Sequence, residues 1–183
     1  GEGGKIIKST DGGLTWTTLT TGSISGFTSV FFPSLDTGYA VGGNDGCIIL
    51  KTTNGGNNWN FLSVPYSTNL RTVNFINSNT GIVAGYEGKV FKTTDGGSTF
   101  TSLTSGFTYS LYTAKFIDSE TGWAAGNYAT IVKTTNGGNN WTNQVSPVNV
   151  HFNNLFFISE LTGWGIGKNI VGDTSWLIKT TNS

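Results

Sequence analysis

Lys8-Ser9-Thr10-Asp11-Gly12-Gly13-Leu14-Thr15-Trp16 decides the architecture of this chain because the pattern returns. It recurs at residues 51–59, 92–100 and 133–141, and a fifth copy begins at Lys179-Thr180-Thr181-Asn182. The leading lysines stand 43, 41, 41 and 46 residues apart. A second motif, Thr37-Gly38-Tyr39-Ala40-Val41-Gly42, starts again at Thr80, Thr121 and Thr162, with spacings of 43, 41 and 41. Two motifs locked in phase define a tandem repeat, which has to be read before anything else.

Each repeat holds four short runs rich in β-branched and aromatic residues, bounded by Gly, Asn, Asp and Ser. In one repeat they are Leu70 to Ile76, Gly81 to Gly85, Lys89 to Thr93 and Thr99 to Leu103. No segment sustains a helical period. Four antiparallel strands in 40-odd residues is the pattern of a propeller blade. The expected fold is therefore all-β, a β-propeller of four-stranded blades, with repeats at about 1–20, 27–64, 70–105, 111–146 and 152–183. The chain opens on a third strand (Lys5 to Lys8) and ends on a third strand (Trp176 to Lys179). This phase suits a piece of a larger ring, and a small ring closed by two half-blades is the alternative.

Within each nine-residue box, the Asp or Asn folds the hairpin by accepting backbone N–H bonds. The Gly pair takes positive φ, and the last residue returns a large ring to the core. The structural set is Asp11, Gly13, Trp16; Asn54, Gly56, Trp59; Asp95, Gly97, Phe100; and Asn136, Gly138, Trp141. Their rings are expected to be largely buried between blades. Two boxes carry Asn, which preserves a turn but not acid–base chemistry, so the box acids are read as structural.

The boxes, preceded by Thr-Gly-Trp-Ala-x-Gly at residues 121–126, resemble the BNR or Asp-box repeat. In particular they resemble the photosystem II assembly-factor-like propellers, which also occur as repeats of bacterial extracellular proteins. Sialidases, xyloglucanases and sortilin-type receptors share the box, so the resemblance implies a fold and not an activity. Sialidases of this kind hold a carboxylate with three arginines, a task suited to the guanidinium fork. This chain has one, Arg71. The assembly factors' arginine patch meets the same obstacle. A xyloglucanase needs two carboxylates within about 5–10 Å across a cleft. The six aspartates, Asp11, Asp36, Asp45, Asp95, Asp118 and Asp173, fall in boxes, turns and non-equivalent loops.

Composition narrows the rest. Lys+Arg 10 balance Asp+Glu 10, and charged residues are only 11%. No basic stripe serves nucleic acid, and no polybasic patch serves anionic lipid. No window is long and apolar enough to cross a membrane as a helix. Cys47 is alone and lies in an apolar run, which reads as a small core residue rather than a disulfide or metal ligand. His151 stands without a metal-binding cluster and is read as a connector residue. No cofactor and no metal are expected.

Strand alternation puts the box hairpins on one face with the turns between first and second strands. The loops between second and third strands share the opposite face with the connectors between repeats. The first face repeats nearly unchanged, whereas the second varies in length and residue type, the usual mark of a binding face. Its candidate residues are Asn44, Asp45, Tyr66, Arg71, Tyr86, Glu87, Tyr109, Tyr112, Tyr128, Asp173 and Trp176. The expectation is a non-enzymatic interaction scaffold, extracellular or at the surface of a bacterium or part of a larger assembly. Its partner would be a protein or a polysaccharide. The alternative is a carbohydrate-active or carbohydrate-binding propeller.

Overall fold

The computed structural model describes residues 3–43 and 46–181. Asn44 and Asp45, named above as candidates, lie outside the described residues. The described strands fall into five antiparallel sheets. The first is the hairpin β1 (Ile6–Lys8) and β2 (Thr17–Leu19). Three four-stranded sheets follow. They comprise β3 (Phe27–Phe31) to β6 (Asn60–Leu62), β7 (Leu70–Phe75) to β10 (Thr101–Leu103), and β11 (Leu111–Phe116) to β14 (Thr142–Gln144). The last is β15 (Val150–Phe157), β16 (Gly163–Asn169) and β17 (Ser175–Thr180). Sequence-neighbouring strands pair throughout, and the first strands β3, β7, β11 and β15 lie beside one another as an inner row.

The second strands β4 (Gly38–Gly42), β8 (Gly81–Gly85) and β12 (Gly122–Gly126) are buried at every position. Being covered on both faces, they read as continuous small and apolar runs rather than alternating ones. The second motif now has a cause. The ring of Phe75 lies flat over Gly81, where a Cβ would come within 2.5 Å of it. Phe32, Phe116 and Phe157 cover Gly38, Gly122 and Gly163 in the same way. On its other side Phe75 stacks on Tyr39 of the preceding sheet (centroids 3.8 Å, 11°), and Phe157 stacks on Trp123 (3.7 Å, 7°). The second of the four-stranded sheets and the last sheet are thus each joined to the sheet before through a ring laid on a glycine.

A second device crosses between sheets. The lysines that open the first three boxes reach the following sheet's box: Lys8 Nζ donates to Gly55 O (2.8 Å), Lys51 to Gly96 O (2.6 Å) and Lys92 to Gly137 O (2.7 Å). These charge-assisted bonds are among the stronger kinds available to a protein. Leu19, Leu62 and Leu103 lie against Gly56, Gly97 and Gly138 of the same boxes. The sequence showed the lysines as a register mark and gave no sign of this role. Cys47 is half-buried against the cluster around Tyr39 and Val41, and burial pushes its thiol up to about 11.

Candidate functional site

The box hairpins are closed by their own bonds. In each, a hydroxyl two residues before the Asp or Asn donates to its side-chain oxygen and accepts from the second glycine's N–H. Thr93 reaches Asp95 Oδ1 at 2.8 Å and receives Gly97 N–H at 2.8 Å, and Ser9, Thr52 and Thr134 repeat the pattern. The Asp boxes use their second oxygen too: Thr99 Oγ1 donates to Asp95 Oδ2 (2.7 Å) and Thr15 Oγ1 to Asp11 Oδ2 (2.5 Å). In the Asn boxes the residue four places on is Asn58 or Asn140, and only its backbone N–H is used. Asp therefore goes with Thr and Asn with Asn, a coupling the sequence reading overlooked. The Thr99 hydroxyl and N–H, then the Thr93 hydroxyl, pull the Asp95 carboxyl down to about 2. The Thr15 hydroxyl, foremost, holds Asp11 well below the usual carboxylate range. Acids fixed in the ionised state by their own turn are poor proton donors, consistent with a structural role.

One expectation for the boxes needs correcting. Trp59 and Phe100 are buried and Trp141 is half-buried, but Trp16 is 59% exposed. Trp59 and Trp141 pack edge-on against Phe32 and Phe116, the phenylalanines that close the inner strands of their own sheets (centroids 6.1 Å in both). The β1–β2 hairpin has no inner strand among the described residues, so Trp16 has no ring to meet. It turns its indole N–H to Gly13 O instead (3.1 Å).

The two faces are as the strand alternation required. Box glycines bond to the first turn of their own sheet: Gly55 N–H to Asp36 O, Gly96 to Asn79 O and Gly137 to Glu120 O, each 2.8 Å. On the opposite face Tyr86 N–H meets Asn69 O and Asn127 N–H meets Ser110 O, both 3.0 Å. Of the candidates on this face, Arg71, Tyr86 and Tyr112 come together. Arg71 and Tyr112 are the extra residues of β-bulges in β7 and β11, which re-aim a side chain out of the ladder. The Arg71 guanidinium stacks over Tyr86 (4.7 Å) and Tyr112 (5.9 Å) and donates to the Tyr86 hydroxyl, while its Nε is buried without a partner. Tyr66 carries Lys89 over its ring (5.4 Å). Glu87 is exposed beside Tyr86, and Asp173 pairs with Lys168 (2.7 Å). Trp176 lies near the start of β17, opposite Gly167, at the loop end of the last third strand.

A second group forms around Tyr128. Its ring meets Tyr109 (4.9 Å, 53°) and His151 (5.3 Å, 74°), and its N–H donates to His151 Nδ1 (3.3 Å). His151 therefore carries its proton on Nε2, and it lies in β15 rather than in a connector. Tyr128 and Ala129 occupy φ 54 and 57, at the centre of a two-residue turn closed by Thr130 N–H to Asn127 O (3.1 Å). Such turns call for Asn and Gly, and a residue bearing a Cβ there costs about 1–2 kcal/mol. The equivalent turn at residues 86–89 places Gly88 at φ 65. The sequence offered Tyr128 as a candidate contact residue but gave no sign of the strained turn beneath it, because the glycine that usually announces this turn is missing.

Among the described residues no group of acids, histidines or cysteines could hold a metal ion, and no helix is long and apolar enough to cross a membrane. Comparison with known proteins adds the following. A family model described as photosynthesis system II assembly factor YCF48 matches residues 51–147. A sequence comparison with curated proteins gives no match. Among solved structures, YCF48 from Cyanidioschyzon merolae is 19% identical with a TM-score of 0.76 over 98% of this chain. YCF48 bound to D1 peptide is 20% identical with a TM-score of 0.63 over 82%. An ancestral GH74 enzyme is 20% identical with a TM-score of 0.77 over the whole chain. This chain spans 64%, 52% and 28% of those three. At these identities the likeness shows the fold, a β-propeller.

Proposed function

Since the chain belongs to the photosystem II assembly factor YCF48 family, we propose that it is a non-enzymatic scaffold that holds a protein partner on its loop face. The observation that carries the proposal is the contrast between the two faces. The Asp and Asn side chains of the box hairpins are bonded within their own turns, and the boxes repeat nearly unchanged. The loop face presents Tyr66, Tyr109 and Tyr128 half-exposed or more, with a ring-mounted arginine among them. Tyrosine offers a large contact area with few rotors to immobilise. The arginine, already desolvated on one side and held by two rings, is pre-organised for a carboxylate or carbonyl of the partner. A peptide is the kind of ligand a structural neighbour carries, the D1 peptide bound to YCF48.

The acids support the non-enzymatic reading. Asp11 and Asp95 spend both oxygens on their own turns, Asp118 spends one, and Asp173 is ion-paired. We extend the proposal to location: low charge and richness in Thr, Asn and Gly suit an exported or surface protein of a bacterium.

Titration with D1 peptide, followed by amide chemical shifts, tests the scaffold. Shifts should gather at residues 66–71, 86–89, 107–112 and 127–130. Shifts gathered on Gly12, Gly55, Gly96 and Gly137, or none at all, would defeat the proposal. Release of reducing ends from xyloglucan, abolished by a carboxylate substitution that leaves the fold intact, would show an enzyme instead.

A further inference from the structure

We infer that the two end sheets of this chain complete each other between two copies: β15–β16 of one copy pair with the β1–β2 hairpin of the other as a four-stranded sheet. The inference stands apart from the scaffold reading, since none of the tyrosines named there takes part.

One cavity shows what it is built to hold. It lies between the β1–β2 hairpin and the first four-stranded sheet, has a volume of about 590 Å³, and is walled by Lys8, Phe32, Leu35 and Gly55 with apolar neighbours. One repeat further on, the same positions are Lys51, Phe75, Ser78 and Gly96. There they surround a ring. Tyr39 stacks on Phe75, carries Lys51 Nζ over its face (5.6 Å) and donates to Gly96 O (2.9 Å), with Ser78 O at 3.5 Å. The cavity is therefore the seat of the aromatic residue that follows the first glycine of the second motif. Phe32 marks the open seat, being 42% exposed where Phe75 is buried.

The last sheet carries the ring that fits. Trp164 follows Gly163 as Tyr39 follows Gly38 and Trp123 follows Gly122. It is half-buried, tilted against Phe156 (6.3 Å, 38°) and carries Lys179 over its face (5.5 Å). Its sheet also borders a cavity, of about 450 Å³, lined by Trp123, Gln144, Phe157 and Gly163 among others. In two earlier sheets a box tryptophan occupies this place, Trp59 edge-on to Phe32 and Trp141 edge-on to Phe116. The box tryptophan without such a seat is Trp16, exposed in the hairpin. Each end of the chain thus presents the ring that the cavity at the other end accommodates.

Both ends also bring a third strand, so one of the two has to leave. Ile178-Lys179 of β17 and Ile7-Lys8 of β1 are the same pair at the same place in the repeat. β17 buries none of its six residues, whereas β5, β9 and β13 bury half or more. β1 is tied to its own chain by the bond from Lys8 to Gly55 O and keeps its place. The strand displaced is therefore β17, and β1 of the second copy remakes the ladder on β16, as in domain swapping. Two copies joined at both ends hold three whole sheets each and share two composite ones. A closed ring of about eight blades is within the range that propellers adopt.

Light scattering on the wild-type chain at micromolar concentration should give twice the 19.4 kDa of one copy. Hydrogen exchange compared between dilute and concentrated chain should show protection rising at residues 6–19 and 155–167 and falling at 175–180. Trp16→Ala and Trp164→Ala, each checked for folding by circular dichroism, should weaken the dimer at least about ten-fold, because large rings seated in pockets anchor interfaces. A single-copy mass, a dimer that both variants leave intact, or protection confined to the loop face would each overturn the inference. Trp16→Ala should still give the loop-face shifts with D1 peptide. Loss of the dimer with those shifts kept supports the composite sheet, and a wild-type dimer without D1 peptide shifts leaves it standing while removing the D1-type partner.

Discussion

Trp16 and Trp59 fill the same position of the same motif and should not be worth the same energy. A tryptophan buries about 150–250 Å² when fully enclosed, worth about 25 cal/mol per Å². Trp59 is 9% exposed, edge-on to Phe32, with Gly56 close to its ring. Its replacement by Ala removes nearly all of that area and leaves a hole, for about 3–5 kcal/mol. Trp16 is 59% exposed and touches mainly its own turn. Less than half the area is at stake there and solvent refills the space, so Trp16→Ala should cost about 1.5–2.5 kcal/mol. Guanidinium unfolding of both variants, followed by circular dichroism at fixed m value, measures the gap directly. Equal losses would show that the box tryptophan acts within its own turn and that the contact with Phe32 contributes nothing.

Gly81→Ala should be among the worst small substitutions, costing about 3 kcal/mol or more, because the new Cβ meets the Phe75 ring rather than a movable chain end; thermal melting reads this out. Ala129→Gly should stabilise by about 1 kcal/mol by relieving a left-handed alanine, and a lower melting temperature would refute the strain. Lys92→Met should cost about 1–2 kcal/mol by leaving Gly137 O without its ammonium, with hydrogen exchange rising in both the β7–β10 and β11–β14 sheets. Asp95 is depressed to about 2 on folding, so its contribution is complete above the ordinary carboxylate range near pH 4 and disappears as pH falls through about 2. Acid titration of Asp95→Asn should show a shallower loss in that window.

What could be read in advance was what repeats. The strands, the boxes and the division into two faces follow from local turn chemistry and alternation, which single segments carry in their own residues. The Asn boxes at Asn54 and Asn136 were enough to mark the acids as structural. What stayed hidden links one repeat to the next. Lys51 looks like a solvated edge residue until Gly96 O is found beside it, and Tyr39 looks like a core filler until Phe75 stacks on it. Trp16 was misread because its motif is intact while its surroundings differ. Tyr109 and Tyr128 were legible as candidates, but their contact with His151 was not, because an unfavourable turn has no sequence signature: Asn127-Tyr128-Ala129-Thr130 spells a loop, and only the backbone shows which kind.

The lysine bonds fix an order of events during synthesis. Each joins a strand to a box 45 or 47 residues further along, always towards the C-terminus. A hairpin leaving the ribosome can therefore close its own turn at once, but its lysine has no acceptor until one more repeat has emerged. The nascent chain should consolidate one unit behind its point of exit, each newly made box locking the sheet that preceded it. Because every such contact has nearly the same separation, each closure spans little more than one repeat, and assembly can proceed as a sequence of equal steps.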